Sequence, residues 1–374
     1  MHGPIHIFAT LRQSLVWDLP TRLFHWGLVA CVAIAAGSGF LAPEWWLDWH
    51  AVAGYGVGIL LAFRLAWGFV GGRYSRFAAL ILAPGRLVRH LRQVAARRPQ
   101  HSVGHDPAGS WMILALLALL GAIVVSGLIA LGGQEGQGPL AFLLSFAAGR
   151  VAMTWHEVLA FLLLAAVGLH VSGVLFESRL SKVPLVAAMI HGRKRVAAED
   201  ADPGGPRARR GALVFATAAG LLLAGGGLLA GLPASGWQPL ATPERYAGEC
   251  GDCHHAHHPS LRTAADWRQL MAGLEDHFGE DASLDPADVA GIGGFLVANA
   301  AERFDTEAAN LMGGARADSI TSGAAWKARH EGLTDALFKS KPVGSPANCD
   351  ACHRDAAGGR FADSAIELPK ENVK

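Results

Sequence analysis

The chain has 374 residues, of which 51% are hydrophobic and only 17% charged, with a net charge of +1 at neutral pH. Soluble domains carry about a quarter charged residues, so this balance argues against a wholly soluble chain, as does the mean hydropathy of +0.28. The net charge also conceals a division: residues 1–236 hold 19 Lys/Arg against 10 Asp/Glu, and residues 237–374 hold 13 against 21.

Five stretches are each close to the roughly 20 apolar residues needed to cross a bilayer core. They lie at 21–41, 50–71, 111–131, 151–176 and 211–232. The first contains His25 and shows no clear small-residue cleavage site, so it reads as a retained helix rather than a signal peptide. Cys31 in the same stretch reads as a small core residue. The second begins at His50 and carries Arg64, and the fourth carries His156 and His170. A histidine in lipid is costly, so four of them point to buried metal ligation.

Loop charge orients the spans. The connection 72–110 holds Arg73, Arg76, Arg86, Arg89, Arg92, Arg97 and Arg98. The connection 177–210 holds Arg179, Lys182, Arg193, Lys194, Arg195, Arg207, Arg209 and Arg210, whereas 42–49 and 132–150 share only Arg150. Basic loops stay inside. The expected topology is therefore a cytoplasmic N-terminus, five spans, and a C-terminal domain on the opposite side, the periplasm of a bacterial inner membrane. The histidines then acquire depths. His50 and His156 lie near the outer face, His25 and His170 near the inner. His156 and His170 are 14 residues apart, or roughly 21 Å along a helix. Fourteen is two heptads, so both face one way, and one helix can serve two stacked sites. Imidazole pairs suit low-spin haem, with no coordination position left open for substrate. His90, His101, His105 and His191 fall in the basic loops and are expected to be solvated. Arg64 follows His50 by 14 residues. It reads either as a partner for an anionic haem propionate or as a snorkelling side chain. Gly54, Gly56, Gly58, Gly121, Gly127, Gly168 and Gly173 permit close packing beside flat rings.

The tail holds Cys250-Gly251-Asp252-Cys253-His254 and Cys349-Asp350-Ala351-Cys352-His353. C-x-x-C-H marks covalent c-type haem: two thiols bond the haem vinyls and the His becomes an iron ligand. A tetrathiolate zinc site and a redox dithiol are the competing readings, and neither explains the His after each motif. His255, His257 and His258 beside the first motif are expected to be exposed rather than ligating.

Residues 14–200 resemble the bacterial cytochrome b561 and nickel-iron hydrogenase cytochrome b family. The resemblance rests on Trp17-Asp18-Leu19-Pro20-Thr21-Arg22-Leu23-Phe24-His25-Trp26, on His50-x-x-x-Gly54-Tyr55, on Phe63-Arg64-Leu65-Ala66-Trp67-Gly68-Phe69, and on His156 with His170. It implies a quinone-reactive module with two b haems and four core helices, ligated by His25, His50, His156 and His170. The fifth helix is then a tether. Residues 245–370 resemble dihaem cytochrome c. The residues carrying that resemblance are Cys250–His254, the 267–274 and 277–284 segments, and Trp326, His330 and Cys349–His353. It implies His277 and His330 as distal ligands, with Met271 and Met312 as competitors; the proposed pairs are His254 with His277 and His353 with His330.

The expected architecture is all-α: a transmembrane bundle over 1–200, a tethering helix and linker over 201–236, and a small periplasmic domain over 237–374. The expected cofactors are two haem b and two haem c, with quinone as substrate. The expected function is electron transfer between the quinone pool and a soluble periplasmic redox protein that is basic at the contact, with possible quinol:cytochrome c-type oxidoreductase activity. The alternatives are a membrane subunit of a larger periplasmic oxidoreductase and a haem- or metal-sensing membrane protein. No nucleic-acid partner is expected, because topology explains the basic loops.

Overall fold

The computed structural model describes residues 12–98, 102–197, 207–313 and 319–369. His101 and the expected 200/201 boundary lie outside the described residues. In chain order the helices are Leu19–Leu41 (α1), Leu47–Val70 (α2), Pro84–Ala95 (α3), Pro107–Gly133 (α4), Phe146–Ser181 (α5), Leu185–His191 (α6) and Arg207–Ala230 (α7). Helices α1, α2, α4, α5 and α7 are long and apolar enough to cross a membrane. A helix satisfies its backbone internally, as hydrocarbon requires. Prolines sit only where a helix tolerates them, in the first turn: Pro20 in α1, Pro84 in α3 and Pro107 in α4. At 36 residues and about 1.5 Å each, α5 is longer than the roughly 30 Å hydrocarbon core.

Two compact units emerge: Met1–Leu41 with Trp49–Gly127 and Thr154–Gly225, and Ala42–Asp48 with Leu128–Met153 and Gly226–Lys374. In the first, Phe24, Phe63 and Trp67 form one core and Val57, Leu120 and Leu163 another, the latter flanked by Cys31. Cys31 is thus a packing residue; its Sγ lies 2.9 Å from where a Cβ on Gly56 would stand, so α1 and α2 approach closely there. On α7, Leu221 and Leu228 are 71% and 77% exposed, as lipid-facing side chains should be.

One feature departs from the all-helical expectation. Arg12–Leu15 (β1) pairs antiparallel with Arg193–Val196 (β2), Arg12 opposite Val196 and Leu15 opposite Arg193. Neither four-residue strand alternates apolar and polar residues, so no period-two signal announced the ribbon. Val16, Trp17, Ala188 and Val196 pack beneath it. Gly192, at φ +82°, ends α6; its carbonyl accepts from the Val16 and Trp17 amides at 2.8 and 3.0 Å. A Cβ there would stand 2.5 Å from the Trp17 carbonyl oxygen, so the turn requires glycine.

Helix α3 also corrects an expectation. His90 is 4% exposed and lies 3.7 Å from Asp106. His105 stacks on Trp17 at 4.5 Å. Neither is solvated, because the basic connection folds back onto the protein; His191 is exposed as expected.

In the second unit the tail helices are Glu244–Gly251 (α8), Ala264–Met271 (α9), Pro286–Ala298 (α10), Glu307–Met312 (α11), Ala324–His330 (α12) and Asp335–Phe338 (α13). A reciprocal Thr263–Asp266 capping box opens α9. Tyr246, Trp267, Met271, Leu274, Ile292, Leu296 and Ala300 form its core. Met271, a competing distal ligand by sequence, is used in packing there.

Asp18 organises the entry to α1. It is 2% exposed. Its carboxylate accepts from the Thr21 amide at 3.0 Å, Trp67 Nε1 at 3.3 Å, the Gly72 amide at 3.2 Å and Ser75 Oγ at 3.0 Å. Asp18→Ala leaves these donors buried and unmatched, an expected loss of about 3 kcal/mol. A lowered midpoint of thermal helix loss in detergent, with Asp18→Asn less affected, is the expected result; an unchanged midpoint contradicts it.

Candidate functional site

Six of the histidines singled out in the sequence fall into three pairs of neighbouring rings. His50 and His156 have ring centroids 5.9 Å apart. His254 and His277 stand 6.2 Å apart, and His330 and His353 stand 6.1 Å apart. His25 and His170 are close enough to interact electrostatically. Centroids near 6 Å match two metal–nitrogen bonds of about 2 Å each added to the ring radii.

Backbone carbonyls orient four of these rings. His50 Nδ1 lies 2.9 Å from the Ala35 carbonyl, and His156 Nδ1 lies 3.2 Å from that of Ile123. His254 Nδ1 lies 2.7 Å from the His255 carbonyl, and His330 Nδ1 lies 2.8 Å from that of Trp326. A carbonyl only accepts, so each Nδ1 carries the proton and each Nε2 keeps a lone pair, the arrangement typical of ligating imidazole. Ser126 Oγ adds a contact to His156 Nδ1 at 3.1 Å. His25 Nδ1 and His353 Nδ1 are buried without a hydrogen-bond partner among the described residues.

Small residues open against two of the rings. A Cβ on Gly39 would stand 3.0 Å from the His50 ring, and one on Gly127 would stand 3.0 Å from the His156 ring. Gly127 was legible as a spacer; Gly39 carried no separate signal because it lies in a run of small residues. Arg64 is 4% exposed, with its guanidinium 4.9 Å over the Phe77 ring and Nη1 buried without a hydrogen-bond partner among the described residues. A buried cation with a free donor fits an anionic group such as a propionate.

In the tail, burial lowers the pKa of His330 and His353 and, with neighbouring cations, of His277. They are therefore neutral at physiological pH, the form that coordinates iron. Burial pushes the thiols of Cys250 and Cys349 up to about 11. A redox dithiol needs a lowered thiol pKa, so these cysteines do not fit that role. Among the described residues no group of three or more His, Cys, Asp or Glu is arranged to hold a metal ion, so the four thiols do not converge on a tetrathiolate centre.

The histidines after the first motif are not exposed as expected. His258 is 3% exposed, His255 Nδ1 lies 2.5 Å from Asp350 Oδ2, and the His257 ring stacks on His254 at 4.9 Å. His257 Nδ1 also stands 3.8 Å from Cys349 Sγ. These residues join the two motifs, a tertiary role that three histidines in a short loop do not announce.

Comparison with known proteins follows the same division. Residues 16–192 match the family model for prokaryotic cytochrome b561, and residues 246–361 match that for dihaem cytochrome c. The chain is 24% identical over 211 residues to the probable Ni/Fe-hydrogenase 1 B-type cytochrome subunit of Escherichia coli K12, an alignment covering 47% of this chain and 88% of that one. A diheme cytochrome type c from Shewanella baltica OS155 is 33% identical, covering 35% of this chain and 95% of its own, with a TM-score of 0.28. Diheme cytochrome c from Rhodobacter sphaeroides is 35% identical, covering 33% of this chain and 100% of its own, with a TM-score of 0.29. Residues 16–192 thus match prokaryotic cytochrome b561 and residues 246–361 match dihaem cytochrome c, the two joined in one chain.

Proposed function

We propose that this protein passes electrons between the quinone pool and a soluble redox protein on the side of the membrane that holds the dihaem domain, the periplasm by the loop-charge rule. The observation that carries the reading is the set of three imidazole pairs with ring centroids near 6 Å, with His25 and His170 near enough to interact as a fourth. His50 with His156 and His25 with His170 would each hold one haem b. His254 with His277 and His353 with His330 would each hold one haem c, covalently fixed through Cys250, Cys253, Cys349 and Cys352. Haem iron between two imidazoles takes up and returns one electron with no position left for substrate. The protein's part is orientation and tuning. Carbonyls fix the ring tautomers, Gly39 and Gly127 leave room beside the rings, and Arg64 would meet a propionate.

The membrane half resembles a protein named as a hydrogenase subunit, which favours a second reading, a subunit serving a larger oxidoreductase. The covalently attached dihaem domain favours the first, since this chain carries its own outward electron carrier. The turn at His277 fits an electrostatic contact: Glu275, Asp276, Glu280 and Asp281 are all exposed around Phe278. A basic redox partner would be steered there.

His156→Ala should remove one of two b haems and leave both c haems, counted as pyridine haemochromes; unchanged haem b content contradicts the assignment. His330→Ala should turn one c haem high-spin and carbon-monoxide-binding while the other stays low-spin. If the variant stays wholly low-spin and inert to carbon monoxide, His330 is not a ligand and Met312 becomes the candidate. In nanodiscs, the wild type should couple duroquinol oxidation to reduction of a basic ferric cytochrome c, at a rate that falls as salt rises. Absence of turnover counts against the function, and turnover that is flat across ionic strength counts against the acidic contact.

A further inference from the structure

The connections between α1 and α2 and between α4 and α5 belong to the same compact unit as the dihaem domain. Arg329 Nη1 pairs with Glu44 at 2.9 Å and also reaches Glu307. The Asp363 amide donates to Glu135 at 3.2 Å, Gln137 Nε2 donates to Ser364 Oγ at 2.7 Å, and Arg360 Nη2 donates to the Gly136 carbonyl at 2.7 Å. The short helix Glu44–Trp46 packs on the short helix Asp363–Ala365.

All these contacts gather around one of the two c-haem sites. Arg329 immediately precedes His330, and Ile366, just beyond the Asp363–Ala365 helix, pairs through its backbone with His353. Glu44 lies six residues before His50 in the chain, and Gln134 seven residues after Gly127, the glycine that faces His156. The connections that seat the His330/His353 site are therefore the ends of the helices that carry the outer b-type pair. The His254/His277 site takes part in none of these bonds. It meets the other c site through the His255–Asp350 and His257–Cys349 contacts, and beyond it Phe278 is 59% exposed.

We propose that the connections 42–48 and 128–145 form a seat for the His330/His353 half of the dihaem domain. That site is then the c site that electrons reach first, through connections continuous in the chain with the helices of the outer b-type pair, and the His254/His277 site is the one that meets the soluble partner. The proposal rests on the electron-transfer reading above. Oxidation of one quinol releases two electrons, and two protons that pass to water. The electrons move singly. A haem held by His330 and His353 would accept each electron first and a haem held by His254 and His277 would pass it on, with an external ferric cytochrome c as the terminal acceptor.

The test uses the full-length protein in nanodiscs, with duroquinol as reductant and stopped-flow spectra as readout. Replacing Cys349 and Cys352 by Ala should leave the remaining c haem unreduced by duroquinol yet reducible by dithionite. Replacing Cys250 and Cys253 by Ala should leave the remaining c haem reduced at close to the wild-type rate. The opposite pattern, or equal rates, overturns the order of the two c sites.

Because a domain lacking one haem can fail to fold, a milder variant with all haems attached is also needed. Glu44→Gln combined with Gln137→Ala should raise hydrogen–deuterium exchange across 360–367. It should leave exchange across 250–260 and the c-haem potentials unchanged, and slow c-haem reduction by at least about tenfold, since electron transfer depends steeply on placement. Unchanged exchange across 360–367 overturns the seat, and raised exchange with unchanged reduction overturns its role as the route. If duroquinol reduces neither c haem in the wild type, the electron-transfer reading itself fails, an outcome separate from the order of the two c sites.

Discussion

A neutral imidazole buried in apolar surroundings has two nitrogens, and each needs a partner. In His50, His156, His254 and His330 a backbone carbonyl takes one nitrogen, and a second imidazole ring stands with its centroid about 6 Å away. Helix positions, glycine placement and loop contacts all read as supports for that arrangement. Asp18 fixes the start of α1, and with it the helix that carries His25. The small side of Gly39 leaves the His50 ring its place. The buried Arg64 supplies a positive charge where the bundle has few.

The spans were legible because length and apolarity are what a bilayer demands of a helix, and the five expected stretches coincide with the five long apolar helices of the fold, two of them overrunning the helix end by one or two residues. The C-x-x-C-H motifs were legible because covalent attachment fixes their spacing. The 14-residue intervals His156–His170 and His50–Arg64 were legible because helix periodicity turns spacing into direction. Partners distant in sequence were not. The β1–β2 ribbon joins residues some 180 apart with strands that show no periodic pattern. His90 and His105 stand among arginines, so composition alone made them look solvated, yet Asp106 and Trp17 enclose them. For Arg64 the sequence left two readings equal, and its burial against Phe77 depends on tertiary packing that no spacing announces.

The His255–His258 loop makes the same point within the dihaem domain. Three nearby histidines suggest an exposed or metal-binding tract. In the fold they are held by Asp350, Cys349 and Ser260, and they bring the two C-x-x-C-H motifs together. The acidic excess of the tail was legible as composition. Its division between carboxylates used internally, such as Glu307 with Arg329, and those exposed around Phe278 was not.

The central claim is that four histidine pairs each hold one haem. Electron paramagnetic resonance of the oxidised, purified protein, read beside its haemochrome count, tests this most directly. The account predicts equal amounts of haem b and haem c, two of each per chain, and only low-spin ferric signals. A high-spin ferric signal in the intact protein, or a haem b content of one or none, would contradict it.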